Sequence, residues 1–181
     1  NTAVGSYALD ANTTASNNHA FGYEALGANT TGDKNNAFGA NALESNTTGV
    51  ENTAFGSRAL QNNTTASYNV AVGRDALRLN TTGTQNIAVG TDALDANTTG
   101  STNTALGDQA LSANTTASNN TAVGFNALNV NTTGTKCVAV GAYALDASDA
   151  DDNTAVGYNA MTANTTGIRN AALGQSALGA N

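Results

Sequence analysis

Four carboxylates fall within seven residues, at Asp146, Asp149, Asp151 and Asp152. A calcium ion takes oxygen ligands at this density, which makes these four the chain's metal candidates. Their spacing matches neither an EF-hand loop nor the glycine-rich calcium repeat. A solvated acidic loop is the stronger reading, and no cofactor is expected. A second candidate chemistry is carried by Asn-Thr-Thr, which recurs at Asn12, Asn29, Asn46, Asn63, Asn80, Asn97, Asn114, Asn131 and Asn164. Each copy fits the N-x-[ST] glycan acceptor. The same triplet reads as a turn, since Asn can bond its own backbone two residues on and a small Gly or Ala follows. Its paired threonines also raise an ice-binding face. Adjacent residues of an extended segment point to opposite sides, however, whereas a flat array needs threonines two apart.

Nothing resembles a catalytic constellation. The one histidine, His19, and the one cysteine, Cys137, lie more than a hundred residues apart. In a rod they cannot form a nucleophile–base pair. Cys137 makes no internal disulfide, and a small buried substitute is the role expected of it. Asp92 with Asp95, and Asp75 with Asp108, occupy variable positions expected to be exposed. No enzyme is expected. The net charge of −7, with six Lys and Arg spread singly, offers no basic stripe for nucleic acid. No apolar run approaches the roughly 18 residues that would insert in a membrane.

These residues are positioned by a repeat. A glycine closing Asn-Thr-Ala-Val-Gly recurs from Gly5 to Gly174 in steps of 17 residues, with one step of 16 from Gly141 to Gly157. The unit reads N-T-A-V-G-x-x-A-L-x-x-N-T-T-G-x-x. Two short apolar pairs per unit predict two short strands, and 17 residues are too few for a helical crossover. The fold class is therefore all-β: a parallel β-solenoid of eleven coils, one domain over 1–181, with an irregular short coil at 146–152. Looser stacking is expected at that coil. A rank of Asn at the first position predicts a hydrogen-bonded ladder along the axis, interrupted by Cys137. Asn-Thr-Thr-Ala-Ser recurs every third coil, at 12–16, 63–67 and 114–118, which suggests growth by duplication of a 51-residue block.

Strand alternation sends Ala3 and Val4 to opposite faces. With Val4 and Leu9 equivalents assigned to the lumen, the small residues become candidates for contact with another chain. These are Ala3, Ala20, Ala37, Ala54, Ala71, Ala88, Ala105, Ala122, Ala139, Ala155 and Ala172. The competing reading is an alanine at a tight internal corner.

Asn-Thr-Ala-Val-Gly followed by x-x-Ala-Leu resembles the head repeats of YadA-like trimeric autotransporter adhesins. It is equally similar to bacteriophage tail-fibre repeats in which N-T-A-V-G-Y-x-A-L and N-T-T-G recur. The resemblance implies a left-handed β-roll assembled as a trimer or filament, serving adhesion or host binding. The expected function is a structural fibre segment, extracellular, at a cell surface or on a virion, that spaces or presents an adhesive end. Its first partner would be itself, with surface carbohydrate or a receptor as a further one. The alternative is a lateral binding module for carbohydrate or ice, for which exposed Tyr7, Tyr23, Tyr143 and Tyr158 would be the platform. The chain opens at a first repeat position, Asn1, and stops at a twelfth, Asn181, without a polar cap. The expectation drawn from this is a segment of an extended fibre.

Overall fold

Each coil contributes one three-residue strand to the computed structural model, which describes residues 1–179. The strands are β1 Thr2–Val4, β2 His19–Phe21, β3 Asn36–Phe38, β4 Thr53–Phe55, β5 Val70–Val72, β6 Ile87–Val89, β7 Thr104–Leu106, β8 Thr121–Val123, β9 Val138–Val140, β10 Thr154–Val156 and β11 Ala171–Leu173. They form a single eleven-stranded parallel sheet in chain order. Its register follows the repeat, with Thr2 beside His19, Ala3 beside Ala20 and Val4 beside Phe21. At about 4.8 Å per strand the sheet runs on the order of 50 Å. The expectation for Gly179-Ala180-Asn181 falls mostly on residues 180 and 181, outside the described residues.

The second expected strand per coil is absent, and the backbone shows why. Positions 7 and 9 of the unit sit in the left-handed region, as at Asp92 (φ 55°) and Leu94 (φ 54°). This segment is therefore a turn. Coils still bond to one another through it, with Leu94 N–H donating to Ala110 O at 3.0 Å and Ala96 N–H to Ser112 O at 3.1 Å. Holding a leucine in that region costs about 1–2 kcal/mol. Burying its side chain returns roughly 1.5–3 kcal/mol.

The core keeps the Leu9 rank inside, as assigned, and overturns the placement of the Val4 rank there. Ala20, Ala37, Ala54, Ala71, Ala88, Ala105, Ala122, Ala139 and Ala155 have no exposed surface within the single chain, and Ala172 is buried. Only Ala3, in the first coil, is exposed. These alanines are interior and not available to another chain. Alternation holds, but a 17-residue coil is narrow. Its interior takes the alanines of positions 3 and 8 and one leucine, as in Ala88, Ala93 and Leu94. The larger Val, Phe or Leu at position 4 faces outward. The glycine after it is fixed by the stack: at Gly90 (φ +139°) a Cβ would stand 2.4 Å from Gly107 O.

Two asparagine columns complete the interior. In the second coil Asn18 Nδ2 and Asn29 Nδ2 both donate to Gly32 O, at 2.8 and 3.0 Å. The sixth coil repeats this with Asn86 and Asn97 on Gly100 O, at 2.8 and 3.0 Å. The expected axial ladder is real but divided between the columns. In the Asn12-type column, side chain bonds side chain: Asn97 Nδ2 to Asn80 Oδ1 at 2.8 Å, and Asn114 Nδ2 to Asn97 Oδ1 at 2.8 Å. In the first-position column the Oδ1 mainly accepts the next coil's backbone, as Asn103 N–H to Asn86 Oδ1 at 3.0 Å.

The 51-residue beat leaves a mark on the stack. Where Ala replaces Gly at position 15, the first threonine's N–H bond to the next coil lengthens. It measures 3.2, 3.3 and 3.4 Å at Thr13, Thr64 and Thr115, against 3.0, 2.9, 3.0 and 2.8 Å at Thr30, Thr47, Thr81 and Thr98.

Asn97→Ala removes one buried amide from a carbonyl, a ladder step below and a ladder step above. It is expected to destabilise by on the order of 2–4 kcal/mol. Thr99→Ala, at an exposed neighbour, should stay within about 0.5 kcal/mol. Urea titration followed by circular dichroism separates the two, and equal midpoints would count against the clasp.

Candidate functional site

The coil that carries four carboxylates is short by one residue; its strand stays in register, while the Asn12-type ladder breaks at Ser148, as expected. β9 and β10 stay paired in register, Val138 beside Thr154, and Val138 N–H reaches Asn153 O at 2.8 Å. The missing residue is absorbed in the turn. Elsewhere the two threonine N–H groups of Asn-Thr-Thr donate to the next coil's backbone, as Thr81 and Thr82 do to Thr98 O at 3.0 and 3.1 Å. Here Asp149 supplies a side-chain oxygen in place of that carbonyl. Its Oδ1 accepts Thr132 N–H and Thr133 N–H, both at 2.7 Å, and its Oδ2 accepts the Thr132 hydroxyl at 2.7 Å. Asp151 accepts Thr135 N–H at 2.7 Å and its hydroxyl at 3.0 Å.

These contacts bear on the calcium alternative: both Asp149 oxygens and Asp151 Oδ1 accept N–H and O–H donors, Asp152 lies 3.8 Å from Arg169 Nε, and no metal-ligating cluster occurs among the described residues. Burial pushes the Asp149 carboxyl up, but hydrogen bonds from Thr133, Thr132 and Gly134 outweigh it and hold the group below the ordinary carboxylate value. The Thr135 N–H and hydroxyl hold Asp151 below it as well. Asp146 is raised by partial burial.

Cys137 behaves as expected of a small substitute. It is fully buried, its Sγ donates to Ala150 O at 3.0 Å where other coils use an Asn amide, and burial raises its pKa. Ser148 takes the Asn12-type position in the same coil. It has no amide, so Asn131 Oδ1 is left buried without a hydrogen-bond partner among the described residues.

The glycan reading meets the same interior. Asn29, Asn46, Asn63, Asn80, Asn97, Asn114 and Asn131 have no exposed surface, and Asn164 is 4% exposed. Each amide nitrogen that would carry a sugar points inward and is hydrogen-bonded, so a folded coil has no room for a glycan there. Asn12, in the first coil, is half-buried. The first threonine of every triplet but the last is committed too, as Thr81 Oγ1 donates to Thr98 O at 3.0 Å. This leaves the second threonines, Thr82 and its equivalents, as one exposed rank.

Two surfaces remain for contact. The first is the outer face of the sheet, where positions 2 and 4 point outward. Phe21, Phe38 and Phe55 stack on it with centroids 4.7 Å apart and planes 9° and 18° from parallel. Val72, Val89, Leu106, Val123 and Val140 continue the line, partly or largely exposed, and His19 lies exposed on its flank. Sequence reasoning placed this rank inside. Its signal was the free exchange of Val, Phe and Leu at position 4, which a packed interior would not tolerate.

The second surface is the turn face of positions 6, 7 and 10. Its middle coils form an ion ladder: Arg58 to Asp75 at 2.7 Å, Arg74 to Asp75 at 2.6 Å and Arg78 to Asp95 at 2.9 Å. Asp75, expected to be exposed, is 3% exposed beneath these arginines. Both ends of the face carry tyrosines.

Two outcomes test the acidic coil. A carboxylate with a depressed folded pKa contributes stability that is present above its unfolded value, about 3.9, and lost as pH falls through the folded one. Amide protection at Thr133 and Thr135 should therefore fail below about pH 4 while that at Thr81 and Thr98 persists; uniform protection at every pH would contradict it. Ser148→Asn restores a donor to Asn131 Oδ1 and is expected to raise stability by about 1 kcal/mol. A lowered melting midpoint would show that the missing residue, and not the missing amide, governs the site. Compared with known proteins, the chain matches no protein-family model, no curated protein and no solved structure.

Proposed function

We propose that this chain is a structural fibre segment, exposed outside the cell or on a virion, that assembles with copies of itself through the outer face of its sheet. The observation that carries the reading is the unbroken outward rank of Val, Phe and Leu along eleven strands. Phe55 is 52% exposed, Leu106 39% and Val72 37%. A soluble monomer rarely leaves so long an apolar patch uncovered. The rank is straight and in register because the coils are, so an identical rank on a second copy complements it along its whole length. The resemblance to trimeric adhesin heads favours three copies around one axis and a left-handed coil.

Rigidity supports the same reading. Coils are locked to one another by backbone ladders and, except at the ninth coil, by the asparagine columns, as a spacer that holds a binding end at a fixed distance requires. The interior is filled by alanine, leucine and asparagine, which suits a scaffold and not a catalyst.

Leu106→Asp places a charge in the middle of the rank. It is expected to weaken self-association at least about tenfold, since it both loses an apolar contact and buries a carboxylate. Gln109→Asp, on the turn face, adds the same charge and should leave assembly unchanged. Light scattering coupled to sizing reads both variants. A wild-type chain that stays monomeric at its highest attainable concentration would sink the proposal.

A further inference from the structure

The two ends of the turn face carry the same arrangement. In the first coil Tyr7 and Asp10 occupy positions 7 and 10, and Tyr23 follows at position 6 of the next coil. In the ninth coil Tyr143 and Asp146 occupy those positions, and Tyr158 follows. The two tyrosine pairs share a geometry, and at the ninth coil a third ring, Phe125, also packs edge to face on Tyr143 at 5.3 Å and 83°. Tyr7 and Tyr23 meet edge to face at 6.1 Å and 88°, and Tyr143 and Tyr158 at 6.1 Å and 89°. Four of the chain's five tyrosines are spent on these two pairs. In coils three to seven the same positions carry no aromatic, so nothing in the coil itself demands one there; the eighth coil adds Phe125 at position 6.

Tyr7 of the first pair borders one shallow cleft, and both tyrosines of the second border another. One, of about 380 Å³, is lined by Tyr7, Asp10, Glu24, Glu44 and Ser45 among others. The other, of about 360 Å³, is lined by Tyr143, Asp146, Tyr158, Asn159 and Thr162. In the first cleft, Asn41 Nδ2 donates to Glu24 and Glu44, both at 3.0 Å. That engagement leaves Asp10 as the counterpart of Asp146.

The chemistry common to both clefts is an exposed phenol ring, braced by a second ring at right angles, beside one carboxylate. A flat apolar ring face packs against the C–H face of a pyranose, and a carboxylate accepts two neighbouring hydroxyls at once. Bracing fixes the platform before anything binds, which lowers the ordering cost. The groups that differ between the clefts are Glu24, Glu44 and Ser45 on one side and Asn159 and Thr162 on the other. All of them can accept from a hydroxyl. A cation would meet three carboxylates in one cleft and one in the other, so charge is not what was kept.

We propose that each chain carries two lateral sites for a neutral sugar ring, one at Tyr7 and Asp10, with Tyr23 bracing the ring, and one at Tyr143, Tyr158 and Asp146. They lie eight coils apart, about 38 Å at strand spacing. They are on the turn face and not the sheet face, so they are independent of self-assembly.

The test titrates the full chain with maltose, cellobiose, lactose and N,N′-diacetylchitobiose, read by intrinsic tyrosine fluorescence and by saturation-transfer NMR. At least one disaccharide is expected to bind at two sites per chain, with a dissociation constant on the order of 1 mM, fitting for open clefts. Tyr7→Ala and Tyr143→Ala should each halve the stoichiometry and together abolish it. Tyr68→Phe, at the fifth tyrosine, should change nothing. Circular dichroism confirms that the variants, altered at solvent-facing positions, stay folded. No saturable binding by any of the four sugars would overturn the proposal. So would sugar binding that survives the double variant, or binding of spermidine with none of sugar. A chain that fails to self-associate but binds sugar at two sites would overturn the assembly reading alone.

Discussion

One backbone carbonyl per coil, at position 15 of the unit, organises the interior. It accepts two asparagine amides that arrive from opposite ends of the same coil, as at Gly83, where Asn69 and Asn80 both donate at 2.9 Å. That clasp closes the coil. Because Asn80 also bonds Asn63 below it and Asn97 above it, the same amide ties the coil into the stack. A buried amide left unpaired costs on the order of 1–3 kcal/mol, so each asparagine is held by both the coil and the column. The small residue at position 15 belongs to this constraint: a Cβ at Gly83 would stand 2.6 Å from Asn80 Oδ1. The three alanines at this position are accommodated with lengthened threonine bonds.

The repeat period made the stack legible in the sequence. A strict 17-residue step with polar breaks admits little but parallel coils in register, and the single 16-residue step located the irregular coil. What stayed hidden was which side of the strand faces in. Alternation says that Ala88 and Val89 point opposite ways, but it is silent on direction, and hydropathy favours the larger residue for the core. The deciding quantity is volume. A coil this small can enclose Ala88, Ala93 and Leu94 with two asparagines, and a valine in place of Ala88 would not fit. Invariance across the eleven coils was the sign of an interior position, and variation among Val, Phe and Leu the sign of an exterior one. The missing second strand has a related cause. Ala93 and Leu94 read as an apolar strand pair, but both side chains face inward, which an extended strand cannot do and a left-handed leucine can.

The acidic coil shows how such a stack tolerates a deletion. Removing a residue from the turn removes a backbone carbonyl that two threonine N–H groups of the preceding coil require. An aspartate side chain is the natural substitute, since it presents acceptor oxygens at the end of a short arm, and Asp149 takes both N–H groups. Two of the four carboxylates, Asp149 and Asp151, are therefore hydrogen-bond surrogates. The repair is incomplete in the interior, where Ser148 cannot replace an amide, and Asn131 bears the cost. The asparagine triplets follow the same logic: residues that carry a modification motif in sequence are structural because their amides are consumed inside.

The interior is built by positions 1, 3, 5, 8, 9, 12 and 15, with the position-13 hydroxyl bonding coil to coil, and the side chains of positions 6, 7 and 10 lie outside that core. Those three can change chemistry from coil to coil without disturbing the core, and they do so in blocks: tyrosine and carboxylate, then arginine with aspartate, then aromatic again. The sheet face is constrained differently, since it stays apolar along its whole length. A rod with one uniform face and one patterned face can associate through the first and present the second. Because the coils are rigid, groups eight coils apart keep a fixed spacing. On the two proposals taken together, two weak sites on one rod, multiplied by the copies in an assembly, would engage a repetitive surface at an effective concentration that the rod itself sets, and the affinity required of a single open cleft would be modest.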